Sequence, residues 1–451
     1  LNRNLVYENQ LISSLLELGL ANLDASSFSP LNTRKPENIL QSYELVNWLN
    51  QNSKALKKLG VEVIQANQSH RYYLQSMELK IKVKENKNDW FDIHAVVEFE
   101  DFEIPFIKFR SYILEGRREF ELPDGRIIVL PDEWFARFKD VFTFAREANN
   151  ELHLEKQHFP LLKESLQGLD TSYAGKLKKW IDTALFEEQP VPEEIKAELR
   201  DYQKKGVSWM WKLYNNDFGG CLADDMGLGK TLQTLTLLQQ VINEEKKRHR
   251  GPVNSVFERQ LTIFDSPEAA DVKAKPSLII VPSTLIHNWI NEARRFAPQL
   301  KTGFYGGQNR KPFHYYYNNY DLIVTSYGLV RNDLDAIRPY DFLYLILDES
   351  QVIKNPHSKT YKAMIGLSSE HRIVLTGTPI ENSLGDLWAQ MNFVNPGLLG
   401  SYEFFRNQFA NPIEKENDEK RGRALRTLIK PFVLRRTKSE VARELPALTQ
   451  Q

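Results

Sequence analysis

The order of apolar and polar residues divides the chain into two styles. Residues 1 to about 70 carry helical spacing, first in Leu11, Leu15, Leu16 and Leu18 and then from Ile39 to Leu59. From Met77 the period falls to two, with Met77, Leu79, Ile81 and Val83 alternating with Glu78, Lys80, Lys82 and Lys84. Phe91, Ile93, Ala95, Val97 and Phe99 continue the alternation. This pattern predicts half-buried antiparallel strands with one wet face, joined by a polar turn at residues 86–89. Residues 121–129 repeat the design around Asp124-Gly125, a hairpin turn. A helix opening at Pro131 then lines up Trp134, Phe135, Phe138 and Phe142. At helical spacing that stripe reads as core rather than as a stacking platform for bases. Helical spacing returns near residues 177–185, and residues 187–192 (EEQPVP) read as a linker.

Beyond the linker, strands and helices alternate. Residues 278–281, 321–324, 343–347 and 372–375 are short, nearly continuous apolar runs. Strands buried on both faces by helices have this composition, so an α/β fold with a central parallel sheet is expected. The expected organisation is an α+β accessory domain with antiparallel strands over 1–190 and the α/β lobe over 191–451. Residues 244–276 form a long polar stretch that opens on a charge run, EEKKRHR. It reads as a solvated loop in preference to a contact with DNA phosphates.

Composition narrows the options. Lys+Arg and Asp+Glu both number 59, so no global basic field draws in nucleic acid and any such contact needs a local patch. The single cysteine, Cys221, excludes an internal disulfide and a thiolate zinc cluster, and fits a reduced, cytoplasmic protein. No apolar run reaches about 18 residues and no signal peptide opens the chain, so no membrane contact is expected. The chain begins at Leu1 and reads as a fragment of something longer, and a monomer is expected.

The chemistry is concentrated in a few stretches. Cys221-Leu222-Ala223-Asp224-Asp225-Met226-Gly227-Leu228-Gly229-Lys230-Thr231 reads as a buried strand end, a glycine-punctuated turn and a helix to about Asn243. Gly227 and Gly229 let backbone N–H groups converge, and the helix N-terminus adds partial positive charge, which suits phosphate. Lys230 is the expected point charge on the β- and γ-phosphates, and the Thr231 hydroxyl a magnesium ligand. Asp224 stands where phosphate loops carry their first glycine. A second apolar strand delivers Asp348-Glu349-Ser350-Gln351, an aspartate able to hold magnesium beside a glutamate able to deprotonate a water. Thr376, Gly377 and Thr378 end the next strand and suit a hinge that senses the nucleotide. Pro282 and Ser283, and Thr325, Ser326 and Tyr327, are strand ends able to hydrogen-bond a phosphodiester backbone. Upstream lie Tyr202 and Gln203, whose amide can read an adenine edge. ATP and magnesium are the cofactors this set expects, with Asp225, Met226, Gly227, Leu228 and Gly229 around the nucleotide.

These residues carry a resemblance. Asp201-Tyr202-Gln203, DDMGLGKT, VPSTLIHNW, TSYG, LDESQVIKN and LTGTPIENSLGDLWAQMNF together resemble the first motor lobe of Swi/Snf-family ATPases. These are double-stranded-DNA translocases of helicase superfamily two. The likeness covers about residues 195–450. FVLRRTK, at 432–438, is similar to the segment that closes that lobe, and the strand-rich N-terminal part resembles the domain associated with bacterial members. The family commonly has an acid at the place of Asp224, and Ser350 is a mild departure in its acidic box. The resemblance implies a RecA-like P-loop NTPase lobe, duplex contacts that include Lys354 and Asn355, and a second lobe, with its arginine finger, after Gln451. It further implies DNA-bound proteins, RNA polymerase among them, as partners. Two other functions stay open: a nucleotide-gated DNA-binding scaffold with negligible turnover, and a strand-separating helicase.

Overall fold

The computed structural model describes residues 5–23, 27–30, 39–65, 71–75, 77–85, 90–148, 151–166, 171–173, 189–249, 274–377 and 383–441. The chain separates into two compact units, Leu1–Asp182 and Thr183–Gln451. No described helix is long and apolar enough to cross a membrane. The expected turn at 86–89, the helix at 177–185 and most of the polar stretch after His249 lie outside the described residues, as do Thr378 and the start of the linker.

In the first unit, Glu78–Glu85 pairs antiparallel with Trp90–Glu98, and Trp90–Glu98 pairs antiparallel with Glu151–Glu155. Alternation decides which face is buried: Ile81, Val83, Phe91, Ile93 and Val97 point inward, while Lys80 on the other face reaches Glu98. The hairpin expected at Asp124-Gly125 forms between Glu119–Glu121 and Ile127–Val129, with Gly125 at φ +82°. Trp134, Phe138 and Phe142 of the helix Asp132–Phe144 enclose Phe106, each ring centroid about 5 Å from its own. The stripe is therefore core, as its spacing predicts; Phe135 is only half-buried.

The second unit is built on a seven-stranded sheet. Its strands are β1 (Gly220–Leu222), β2 (Ser277–Val281), β3 (Thr302–Phe304), β4 (Leu322–Ser326), β5 (Asp341–Asp348), β6 (Ser368–Leu375) and β7 (Val433–Leu434). Their order is β3-β4-β2-β5-β6-β1-β7 and every neighbouring pair is parallel. Four helices matter below: α1 (Asp201–Tyr214), α2 (Lys230–His249), α3 (Ile286–Phe296) and α4 (Leu384–Val394). β2 is buried along its whole length and β5 along all but its first residue, which accounts for their unbroken apolar sequences. Each buried Leu or Ile there contributes about 1.5–3 kcal/mol relative to exposure.

Helix α2 runs to His249, six residues beyond the expected end. Residues 244–249 of the charge run are helical, and their charges pair at helical spacing: Arg248 meets Glu244 and Glu245, and Glu245 also accepts the Tyr214 hydroxyl at 2.7 Å. The register brings the working ends of four strands to one level. Asp348 lies opposite Leu375, Leu375 opposite Leu222, and Leu222 opposite Leu434.

Candidate nucleotide site

Just past that level, the chain leaves β1 as the phosphate loop. Gly227 and Gly229 take φ +86° and +75°, the left-handed region in which a side chain is strained. At Gly229 a Cβ would also stand 2.4 Å from Gln203 Nε2, so that amide would have to move. The N–H groups of Gly227 and Gly229 have no acceptor among the described residues, and the loop opens directly into the 20-residue α2. Lys230 folds back over the loop, its Nζ donating to the Asp224 carbonyl at 2.7 Å and to that of Asp225 at 3.4 Å. Its charge is thus held by neutral acceptors. A positive-φ cradle, N–H groups without an acceptor among the described residues and a cation hydrogen-bonded to main-chain carbonyls fit a polyphosphate.

Tyr202 and Gln203 meet the loop from α1. The Tyr202 hydroxyl donates to the Leu228 carbonyl at 3.2 Å and Gln203 Nε2 donates to the same oxygen at 3.3 Å. Gln203 Oε1 accepts the Arg200 N–H at 3.0 Å. The amide that the sequence offers to an adenine edge thus also ties the loop to α1.

Asp224 is fully buried and faces Arg436, which follows β7. Arg436 Nε donates to Asp224 Oδ1 at 2.9 Å, and its Nη2 reaches Asp224 Oδ2 and, at 2.8 Å, Gln233 Oε1. Nη1 donates to the Tyr202 carbonyl, and the guanidinium lies 5.2 Å from the Tyr202 ring centroid. Main-chain bonds run alongside: Ala223 N–H to the Leu434 carbonyl at 2.7 Å and Asp225 N–H to the Arg436 carbonyl at 3.0 Å. The Asp225 carboxylate accepts the Lys438 N–H at 2.9 Å. Asp225, expected at the nucleotide, therefore directs both its N–H and its carboxylate to the 436–438 segment, and only its carbonyl to Lys230.

At the other side of the site β5 ends in the acid pair. Asp348 is 7% exposed, and burial raises its pKa above the usual aspartate range. The like charge of Glu349 adds to the rise, and the Trp289 hydrogen bond opposes it. Trp289 Nε1, on α3, donates to Asp348 Oδ2 at 2.8 Å. Asp348 Oδ1 accepts the N–H of Glu349 at 2.9 Å, and the Tyr327 hydroxyl donates to the Asp348 carbonyl at 2.7 Å. Glu349 sits at φ +49°, ψ +54°, a left-handed conformation costing on the order of 1 kcal/mol for a residue with a side chain. Its Oε2 accepts from Gln351 Nε2 at 2.9 Å, and Gln351 Oε1 accepts from the Thr376 hydroxyl at 3.4 Å. Ser350 donates to Gln390 of α4 at 2.9 Å. The β6 end is fixed to the phosphate-loop strand as well, since Thr376 N–H donates to the Leu222 carbonyl at 3.1 Å. Gly377 is buried, and a Cβ there would lie 3.5 Å from Met226 Cγ.

The residues expected to face a duplex divide. Ser283 and Asn355 are exposed, and Pro282 and Lys354 are partly so. Thr325 and Tyr327 correct that expectation: Thr325 is fully buried and donates to the Tyr305 carbonyl at 2.9 Å, and Tyr327 is buried against Asp348. Ser326 caps the helix Tyr327–Asn332 by accepting from Leu329 N–H at 3.4 Å. A β-strand alternates its faces, and the sheet here is covered on both, so a hydroxyl near a strand end is turned inward. Sequence reasoning assigned no role to Trp289, Gln351, Gln233 or the Asp224–Arg436 pair. Only the pairing of a buried acid with a distant arginine could have been suspected, from the acid at the place of a glycine.

A phosphate loop and a strand-end acid pair on one edge of a wholly parallel sheet define a RecA-like P-loop ATPase lobe. The profile of the SNF2-related domain matches residues 202–451, and the chain belongs to that family. YwqA of Bacillus subtilis (strain 168), provisionally named an ATP-dependent helicase/translocase, is 31% identical over 431 residues, 88% of this chain and 44% of that protein. The TATA-binding protein-associated factor mot1 of Schizosaccharomyces pombe is 38% identical over 283 residues, 60% of this chain and 14% of its own. A Sulfolobus solfataricus SWI2/SNF2 ATPase core in complex with dsDNA is 39% identical, with a TM-score of 0.47, covering 56% of this chain and 48% of that one. The chain thus spans less than half the length of these relatives.

Proposed function

We propose that residues 191–451 form the nucleotide-binding motor lobe of an ATPase that moves along double-stranded DNA and remodels protein–DNA complexes, with 1–190 as an accessory domain. One observation carries this reading. The phosphate loop, Thr376 and the acid pair leave the adjacent strands β1, β6 and β5 at one level, with Gln351 joining Glu349 to Thr376 and the Thr376 N–H reaching the Leu222 carbonyl. ATP is the substrate. Lys230 and the N–H groups of Gly227 and Gly229 hold its phosphates. Thr231 and Asp348 offer oxygen donors, the kind a hard cation takes, and are the residues that would hold magnesium. Bound there, magnesium would neutralise negative charge on the phosphate oxygens. Glu349 orients and deprotonates the attacking water, and Gln351 fixes its carboxylate. The Thr376–Gln351–Glu349 chain links the hinge to that carboxylate, which is the route for coupling hydrolysis to movement.

Family membership supports duplex DNA as the track, and the exposed Ser283 and Asn355 are the residues on which we place the contact. DNA-bound proteins, RNA polymerase among them, are the proposed objects of remodelling. The test is ATP turnover by the intact protein with and without duplex DNA, beside a strand-displacement assay. Duplex-stimulated turnover without strand separation is the expected result. Turnover indifferent to DNA would overturn the translocase reading, and strand separation would replace it with a helicase.

A further inference from the structure

The acid at position 224 raises an electrostatic difficulty that rests on the nucleotide reading above. Asp224 is wholly buried directly behind the loop, and its own carbonyl is 2.7 Å from Lys230 Nζ. A lone carboxylate there would oppose any polyphosphate in the cradle. Its neutralising partner comes from more than two hundred residues away: Arg436 grips both Asp224 oxygens and, through Nη1 and Nη2, also Tyr202 and Gln233. A separate feature is that α1 presents a glycine to this cluster. Gly206 sits inside α1, where glycine costs helix stability. A Cβ at that position would stand 1.9 Å from Gln233 Oε1 and 2.8 Å from Arg436 Nη2.

We infer that Arg436 is a positioning and charge-compensating residue of the nucleotide site, holding the first half of the phosphate loop in place and cancelling Asp224. The main-chain bonds from Ala223 to Leu434 and from Asp225 to Arg436 make loop and exit segment one ladder. The state of the loop and the course of residues 433–438 are therefore set together.

The sign of the charge separates this role from simple structural support. In the full chain, Arg436→Met leaves Asp224 uncompensated, and Asp224→Asn leaves the cation uncompensated. Both lower the melting temperature, but they move phosphate affinity in opposite directions. Titration with mant-ADP and magnesium reads this directly. Arg436→Met weakens binding on the order of tenfold, Asp224→Asn does not weaken it, and the double variant returns to within about threefold of the parent. Arg436→Lys keeps the charge without the fork, so it retains affinity while losing stability, and it serves if the Met variant does not fold. Weakening by both single variants in proportion to their loss of melting temperature overturns the inference, as does an Arg436→Lys variant that binds as weakly as Arg436→Met. Lys230→Ala is the reference. If it too leaves mant-ADP binding unchanged, the nucleotide site itself has been misassigned. If it abolishes binding while the Arg436 and Asp224 variants behave alike, only the present inference fails.

Discussion

The two ends of the parallel sheet both carry charged residues, and they use them differently. At the amino end Lys275 lies between Asp341 at 2.5 Å and Glu370 at 2.7 Å, and Asp341 also accepts from Ser368 at 2.7 Å. All three charged side chains are more than 40% exposed, and the two carboxylates raise the pKa of the lysine. At the carboxyl end Asp224 and Asp348 are buried, and their partners arrive from remote segments, Arg436 from the segment after β7 and Trp289 from α3. Water screens the first group and makes it nearly dispensable. Burial without compensation is costly, so the second group persists only where other residues are arranged around it. The location of buried charge thus marks the site better than the amount of charge does.

The largest effect that would sharpen this contrast comes from the acid pair. Glu349→Gln should bind ATP normally and lose about 10²–10⁴-fold in turnover, because the amide keeps the shape but takes no proton. Asp348→Asn should instead weaken magnesium-dependent binding. Equal behaviour of the two in a nucleotide-binding titration would refute the division of labour. Trp289→Phe removes one hydrogen bond to a buried carboxylate while keeping most of the ring. A loss of about 10-fold in kcat, together with a lower melting temperature, is expected when a buried carboxylate loses this bond. Unchanged kcat would show that Asp348 needs no help from α3.

A smaller effect concerns His371 on β6, packed against the rings of Tyr344 and Tyr214 with centroids at 5.0 and 4.7 Å. Burial lowers its pKa, against the weaker pull of Asp217, Glu370 and Glu245, and Arg248 adds to the lowering. Above about pH 6.5 the ring is neutral folded or unfolded and adds no pH dependence. Below that the unfolded chain takes up a proton that the folded chain refuses, so stability falls as pH drops. Denaturant melts between pH 7.5 and 5.5 should show this loss, and His371→Phe should reduce it; an unchanged slope would exclude the histidine as its source. The smallest effect is at the amino end, where Lys275→Met should cost less than about 1 kcal/mol and leave nucleotide binding untouched. A measurable loss of turnover would break the comparison between the two ends.

The sheet was legible because β2, β4, β5 and the last three residues of β6 are buried on both faces and therefore read as apolar runs. β3 and β7 were not: three and two residues long, they carry too little pattern and exist because longer neighbours template them. The phosphate loop and the acid pair were legible because glycine spacing and a charge at the end of an apolar strand are local signals. The supports of Asp224 and Asp348 are not local. Arg436 is 212 residues from Asp224 and Trp289 is 59 from Asp348, so only the folded topology joins them. Thr325 and Tyr327 misled because a hydroxyl at a strand end looks the same in sequence whether it faces water or a carbonyl.

The chain's single thiol belongs to β1, immediately before the loop. Cys221 is completely buried between β6 and β7, 3.9 Å from Gln390 Oε1, and burial pushes its pKa up to about 12. An alkylating reagent can reach it only when the sheet parts at the place where the phosphate loop is anchored. The protein therefore contains its own chemical clock: the labelling rate of one atom counts how often that anchorage opens. Slower labelling with nucleotide bound would measure, in time, how firmly the ligand holds the strand.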